Sequence, residues 1–465
     1  MIFLNLNEIA EAVGSLELKK PFGKQTITSV GFDTRKLSEG SLFVPLKGKN
    51  NGHEFIEEAI EKGAVAALWS ESPAKAPTDF PIIQVDDTLL AMQQLASYYL
   101  NKVSPKVVAV TGSNGKTTTK DMTEAVIGTK YKVHKTQGNF NNHIGLPYTL
   151  LEMPEDTEVV ILEMGMNHAG EINVLSNLAK PDIAVITMIG ESHIEYFNSR
   201  AGIADAKMEI VSGLKKNGTL IYPGSEPLLN ERVKKLKTQR LVTFGQAKEN
   251  AVYPLEMTVE MEKTLFKVNM EPDLVFSIPV LGVYNVNNAL AALSAGKELG
   301  VSLADAAPAL ANFQLTKSRT EWVKGINHSF ILNDAYNANP TAMKAVIKTF
   351  GELKTEGRKL VVLGDMLELG EWSEELHKSI KEVIKPSEIE QVLLYGEKMK
   401  ALENTLVGEG VYSSDQLHHF SGDKQAMIDF LKQIIQPNDL ILVKSSFGTD
   451  LLSLIPLLAD ESSKQ

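Results

Sequence analysis

The chain has 465 residues, too many for one ordinary hydrophobic core, and size favours two to four domains, of which three is the expectation. Its 43% hydrophobic and 23% charged residues exclude a disordered or fibrous protein, and 47 basic against 58 acidic residues give a net charge of −11. That balance argues against nonspecific attraction to nucleic acid or anionic lipid, and the absence of cysteine excludes disulfides, thiolate zinc sites and a cysteine nucleophile.

The opening "MIFLNLNEIAEAVG" has no basic leader, and no apolar run approaches the roughly 20 residues of a membrane span, so a cytoplasmic protein without membrane insertion is expected. The first hundred residues combine short strand-like pieces with the turn-rich "GFDTRKLSEGSLFVPLKGKNNGHEF" and a helical pattern at Leu89 to Leu100. Pro105 in "NKVSPK" then breaks the chain, which closes a small N-terminal α/β module at 1–103.

Apolar runs next alternate with helical stretches: "VVAVT", "VVILEMG" at Val159 to Gly165, "DIAVITMI" at Asp182 to Ile189 and "GTLIYP" at Gly218 to Pro223. Such runs predict a parallel sheet buried on both faces. "MTVEMEKTLFKVNM", Met257 to Met270, alternates like an antiparallel appendage; a helix is expected at Val286 to Leu299, and "NFQLTKSRTEW", Asn312 to Trp322, reads as a connector. A central domain over 104–313 results. The alternation restarts in "SFILND", "KLVVLGDM", "QVLLYG" and "DLILVKSS", giving a second α/β domain over 314–465.

"VVAVTGSNGKTTTKDM", Val107 to Met122, is a strand running into a glycine turn and a helix start, which aims backbone N–H groups and the helix dipole at one spot. Gly112, Ser113, Asn114 and Gly115 would cradle phosphate, Lys116 would reach its terminal oxygens, and Thr117, followed by Thr118, would face a magnesium ion. Only two residues separate the glycines, where the general phosphate loop has four. A plain glycine turn before an ordinary helix is the competing reading, and GKT after four apolar strand residues favours phosphate.

Glu163 ends "VVILEMG", and the C-terminal ends of parallel strands are where ligands sit, so it is a candidate magnesium ligand. His193 in "GESHIEYF" is a second metal candidate, with a surface or capping role as the alternative. Lys207 in "ADAKMEI", between Asp205 and Glu209, taken alone reads as a surface lysine.

With GSNGKTTT, EMG, the His193 segment and AKMEI in this order, the chain closely resembles the Mur ligase family of ATP-dependent amide ligases over nearly its whole length. The short glycine spacing is similar to that family's loop. "DAYNANP" at Asp334 to Pro340, "VLGDMLELG" at Val362 to Gly370 and "GNFNNHIGLPYTLL" at Gly138 to Leu151 look most like the subgroup that adds D-alanyl-D-alanine to UDP-N-acetylmuramoyl-tripeptide. The resemblance implies three domains: an N-terminal UDP-binding module, a central phosphate-loop ATPase domain and a C-terminal Rossmann-like domain. It also implies a monomer acting on small molecules through an acyl phosphate, with ATP and two magnesium ions.

By the same resemblance Lys116, His193 and Lys207 serve catalysis, and Thr117, Glu163, His193 and Lys207 serve the metal, Lys207 as a carbamylated lysine. Asn285 and Asn288 match the paired asparagines at the adenine, with a helix N-cap as the other reading of Asn285, and Tyr284 stands where the family often has histidine. Arg319 would contact phosphate and Asp334 ribose; Asn139, Tyr336, Asn337 and Asn339 would meet substrate; and Thr34, Arg35, Lys47 and Asn51 would hold the UDP moiety. "VKSSFGTD" departs from the subgroup, with Ser445 for glycine and Phe447 for arginine, and Ser318 precedes Arg319 where glycine is common. Another amide ligase of the family, such as the third-residue-adding enzyme or a folylpolyglutamate synthase, is the nearest alternative, and a nucleotide-dependent switch is a more distant one.

Overall fold

Residues 2–15, 22–316 and 320–460 are described by the computed structural model. Near the start, β1 (Leu4–Asn5) pairs antiparallel with β2 (Thr26–Ile27). A small parallel sheet follows, with β3 (Ser29–Gly31), β4 (Ser41–Phe43), β5 (Ala64–Trp69) and β6 (Ile82–Gln84) side by side in that order. The helix expected at Leu89 to Leu100 spans Thr88–Val103. The Asp87 carboxylate accepts from the Leu90 N–H to start it, and Ser104 stops it in the left-handed region just before Pro105. Met92, Leu95, Ala96 and Tyr99 form its buried face, and the Tyr99 hydroxyl donates to Met153 O at 2.8 Å, tying this helix to the next unit.

The central sheet is parallel throughout. It holds β7 (Lys106–Thr111), β8 (Val133–Lys135), β9 (Val159–Glu163), β10 (Ile183–Ile186), β11 (Thr219–Pro223) and β12 (Arg240–Phe244), in the order β12-β11-β10-β7-β9-β8. Alternate residues feed two different cores: Val107, Ala109, Val160 and Leu162 on one face, and Val108, Val110, Val159 and Ile161 on the other. This two-faced burial is why the strands read as unbroken apolar runs. β7 lies between β9 and β10, so connections leave its C-terminal end in opposite directions, opening the crevice where ligands bind in such sheets.

The appendage has three antiparallel strands, β13 (Pro254–Val259), β14 (Thr264–Val268) and β15 (Glu271–Ile278). The third extends beyond the expected Met257 to Met270. Phe266 and Phe276 stack at 5.5 Å and join the core shared with the helix Val283–Glu298, which starts three residues earlier than its apolar pattern suggested.

The last sheet contains β16 (Glu321–Lys324), β17 (Phe330–Asp334), β18 (Lys359–Gly364), β19 (Gln391–Tyr395), β20 (Leu417–Phe420) and β21 (Leu440–Lys444), ordered β16-β17-β21-β18-β19-β20. Only β16 runs antiparallel. It begins at Glu321, so the last two residues of the expected connector belong to an edge strand. Among the described residues no helix is long and apolar enough to cross a membrane.

Candidate active site

β7 delivers the chain to a tight loop that only glycine can make. Gly112 has φ +151° and Gly115 φ +78°; a Cβ would lie 1.8 Å from Thr187 Oγ1 at the first and 2.6 Å from Asn288 Oδ1 at the second. The helix Lys116–Ile127 starts there with Gly115 as its N-cap and no side-chain cap, which leaves first-turn N–H groups for a ligand. Lys116 Nζ donates to Gly112 O at 2.9 Å, folded over the loop. Ser113 is turned away from the loop's mouth, its hydroxyl on Gly190 O.

Glu163, at the end of β9, is 2% exposed. Thr117 Oγ1 donates to its Oε2 at 2.9 Å, and Asn141 Nδ2 donates to its Oε1 at 2.9 Å. A carboxylate and a hydroxyl oxygen beside a phosphate loop are the hard donors magnesium uses when phosphate and water supply its other ligands. Among the described residues no three His, Asp or Glu side chains gather as a metal site, so protein donors alone would not complete the shell.

Lys207 is the departure from the reading of its residues alone. It ends the helix Arg200–Met208 and is 1% exposed, not a surface lysine. Its acidic neighbours are engaged elsewhere: Asp205 pairs with Arg232 at 2.7 Å, and Glu209 accepts from the N–H groups of Gly170 and Asn173. Burial pushes the Lys207 ammonium well below its ordinary range, and the Lys116 charge pushes it further, against the pull of Glu163. His193 sits at the N-cap of the short helix Ile194–Phe197 with φ +64° and makes no side-chain cap. Its Nδ1 lies 2.5 Å from Glu368 Oε2, and this contact holds the Glu368 carboxyl below its usual range.

A cavity of about 350 Å³ opens over the loop, within the size range of small-ligand sites. Asn114, Gly115, Thr117, Thr118, Tyr284, Asn285, Asn288, Asp334 and Lys444 are among the residues that line it. Asn285 lies inside the helix Val283–Glu298 and is not its N-cap. Its amide donates to Leu281 O at 2.7 Å and its Oδ1 accepts from Asn288 Nδ2 at 3.0 Å. Tyr284 has its hydroxyl oxygen covered, and burial, with Asp334 nearby, raises its pKa. Asp334 ends β17 and pairs with Lys444, which is 3% exposed and also donates to Asn337 O at 3.0 Å.

A second cavity, of about 600 Å³, is lined by Asn139, His193, Tyr336, Asn337 and Phe447 among others, and Asn337 faces both cavities. Phe447 is 66% exposed, with its ring centroid 6.0 Å from that of Tyr336. Ser445 is fully buried beside Gly364 and lines neither cavity. Asn339 is absent from the lining. It caps the helix Pro340–Glu352 by accepting from Ala342 N–H, and its amide donates to Ser192 Oγ at 2.8 Å across the crevice. Thr341 makes a parallel crossing, its hydroxyl donating to Glu191 at 2.6 Å.

The four N-terminal candidates lie together in sequence but serve local structure. Arg35 pairs with Asp33 at 2.8 Å, Thr34 is buried in the short helix that Asp33 caps, and Lys47 bridges to Asn51. Asn51 donates to Glu71 at 2.7 Å. The nearby cavity of about 230 Å³ is lined instead by residues that include Ser29, Lys36 and Tyr148. Arg319 and Ser318 lie outside the described residues. Reading the sequence missed Asn141, Thr187 and Lys444. All three lay within quoted segments, Asn141 in "GNFNNHIGLPYTLL", Thr187 in "DIAVITMI" and Lys444 in "VKSSFGTD", but the folded chain was needed to bring them to the site.

Comparison with known proteins covers the same ground. Residues 26–100 match "Mur ligase family, catalytic domain", 110–296 "Mur ligase middle domain" and 318–447 "Mur ligase, glutamate ligase domain". UDP-N-acetylmuramoyl-tripeptide–D-alanyl-D-alanine ligase of Bacillus subtilis (strain 168) is 45% identical over 459 residues, 98% of each chain, and that of Escherichia coli (strain K12) is 33% identical over 94% of this chain and 95% of its own. The crystal structure of MurF from Acinetobacter baumannii superposes with a TM-score of 0.87 at 27% identity, covering 98% of both chains. MurF ligase from Thermotoga maritima in complex with ADP gives 0.79 at 27% identity, over 92% of this chain and 96% of that one. With a phosphate loop, a buried lysine and a cavity over the loop in place, and relatives aligned end to end, the chain belongs to the Mur ligase family.

Proposed function

We propose that the protein joins D-alanyl-D-alanine to UDP-N-acetylmuramoyl-tripeptide at the expense of ATP, giving the UDP-linked pentapeptide, ADP and phosphate. The observation that carries this reading is end-to-end similarity to ligases of that name, 45% identical over 98% of the chain. The geometry supports it, because the phosphate loop, Asp334 and Lys444 line one cavity. We assign the three units to 1–103, 104–313 and 314–465.

The γ-phosphoryl group passes to the tripeptide's terminal carboxylate, leaving ADP and an acyl phosphate. The dipeptide amine attacks the acyl carbon, loses a proton, and the tetrahedral adduct expels phosphate. Lys116 and the first-turn N–H groups of its helix neutralise phosphate oxygens, so positioning and charge neutralisation carry the reaction. Thr117 and Glu163 would hold a magnesium ion, which would supply positive charge against the phosphates. Burial favours the neutral form of the Lys207 amine, the form that would add CO2 to give a carbamate and a proton. The carbamate would place an anion near Lys116 and offer oxygen to a second cation. The second cavity, with Tyr336, Asn337 and Phe447, takes the dipeptide. The reading places a monomer in the cytoplasm.

The test is turnover with UDP-tripeptides ending in lysine or in diaminopimelate. One of them should support phosphate release that stops when the dipeptide is left out; dipeptide-independent release with both would reject the reading.

A further inference from the structure

Three consecutive residues beyond β10 reach across to the last unit. Glu191 Oε2 accepts from the Thr341 N–H at 3.1 Å and from its hydroxyl at 2.6 Å, Ser192 Oγ accepts from the Asn339 amide at 2.8 Å, and His193 meets Glu368. Ser192 also faces back towards the phosphate loop, where its hydroxyl donates to Ser113 O at 2.9 Å.

The direction of this chain of bonds is fixed by the helix on which it ends. Asn339 is the N-cap of the helix Pro340–Glu352, so its Oδ1 is committed to the Ala342 N–H at 2.9 Å and its Nδ2 is left to donate. Ser192 Oγ must then accept, and its own proton goes to Ser113 O. Ser113, Ser192 and Asn339 are all buried, so water is no ready substitute for either bond.

The two ends of the chain of bonds belong to different cavities. Ser113 lies in the phosphate loop beside Asn114 and Gly115, which line the central cavity, whereas Asn339 closes the turn whose Tyr336 and Asn337 line the second. Ser192 lines the second cavity as well. The rest of that turn is tied within its own unit: Lys444 holds Asp334 and Asn337 O, and Ser446 Oγ donates to Ala338 O at 3.4 Å. The loop end is held twice over without Ser192, because the Ser113 N–H donates to Met188 O at 3.0 Å and its hydroxyl to Gly190 O at 3.3 Å. Losing the Ser192 hydroxyl therefore leaves the loop anchored and cuts the turn's tie to it. The Thr341–Glu191 crossing remains, so the two units stay docked.

We infer that Ser192 is a positioning residue for the dipeptide, acting through Asn339 to hold Tyr336 and Asn337 in register with the phosphate loop. The inference rests on the ligase reading, in which an acyl phosphate formed over the loop must meet an amine held in the second cavity. A small error in such a placement slows a step between two bound reactants.

The experiment is steady-state turnover of the full-length protein with ATP, magnesium, UDP-N-acetylmuramoyl-tripeptide and varied D-alanyl-D-alanine, with ADP affinity measured by calorimetry. Ser192→Ala should lower kcat/KM for the dipeptide about fivefold, the scale of one net hydrogen bond, and keep ADP affinity within about twofold of the parent. Asn339→Ser keeps a capping oxygen but loses the amide, and should show the same loss. The double variant should lie within about twofold of either single one, because all three remove the same bond. An unchanged kcat/KM in Ser192→Ala, an equal loss of ADP affinity, or losses that multiply in the double variant would each overturn the inference and leave the ligase reading intact. A parent whose phosphate release ignores the dipeptide would reject the ligase reading and this inference with it.

Discussion

Thr117 and Glu163 meet at 2.9 Å, hydroxyl to carboxylate, joining the first turn of the phosphate-loop helix to the end of the neighbouring strand β9. Asn141 holds the carboxylate's other oxygen, so its orientation is set before any ligand arrives. Glu163→Gln keeps the shape and removes the charge. It should lower kcat by roughly 100-fold or more, the scale of losing one preorganised electrostatic group. Steady-state turnover across a magnesium titration checks this, and a variant with parental kcat at low magnesium would contradict it.

Lys207 is placed where an ammonium is costly. Lys207→Ala should lose roughly 100-fold or more of turnover, with part restored by a small added carboxylic acid; full activity without the acid would remove the carbamate. The same burial has a stability consequence. A lysine with a lowered folded pKa binds fewer protons folded than unfolded, so its penalty is full at low pH and fades as pH rises through the unfolded value near 10.5. In CO2-free buffer at pH 7, Lys207→Met should therefore melt higher than the parent, and the difference should shrink towards pH 10.5. Thermal melts across that range decide it.

Gly115 has a left-handed backbone and Asn288 in the way of any Cβ. Gly115→Ala should cost about 1–2 kcal/mol in backbone strain alone, and pushing Asn288 aside should disturb the cavity wall and weaken ATP binding. Calorimetry with ATP is the check; an unaltered affinity would show that the loop tolerates a side chain.

Phe447 and Tyr336 line the second cavity as a tilted aromatic pair, their ring centroids 6.0 Å apart. Phe447→Ala should raise the KM for D-alanyl-D-alanine about 2- to 10-fold, the range of one aromatic pairing, with the KM for ATP unchanged. Equal rises in both constants would place Phe447 outside the dipeptide site.

Much of this was legible in the sequence, for physical reasons. β7, β9, β10 and β11 are buried on both faces, so their apolar runs stand out, whereas β12 ("RLVTF") and β20 ("LHHF") carry charged or histidine residues and passed unread as strands. The loop glycines announce themselves because the backbone there requires glycine. Lys207 does not: a lysine flanked by Asp205 and Glu209 looks solvated, and only the pairing of Asp205 with Arg232 and of Glu209 with a neighbouring helix N-terminus leaves it buried. Thr187 and Lys444 were not assigned to the site because each reaches it from a strand end distant in sequence. The N-cap reading of Asn285 failed because the helix gains an extra turn at Val283, which turns that asparagine inward to meet Asn288.

The central claim is that ATP is spent only to join two specific molecules. The most direct measurement follows phosphate release and the mass of the UDP-linked product in one reaction with ATP, magnesium, UDP-N-acetylmuramoyl-tripeptide and D-alanyl-D-alanine. Phosphate and pentapeptide should appear in equal amounts, and both should vanish when the dipeptide is omitted. Phosphate released at the same rate without the dipeptide, or without any pentapeptide, would contradict the claim.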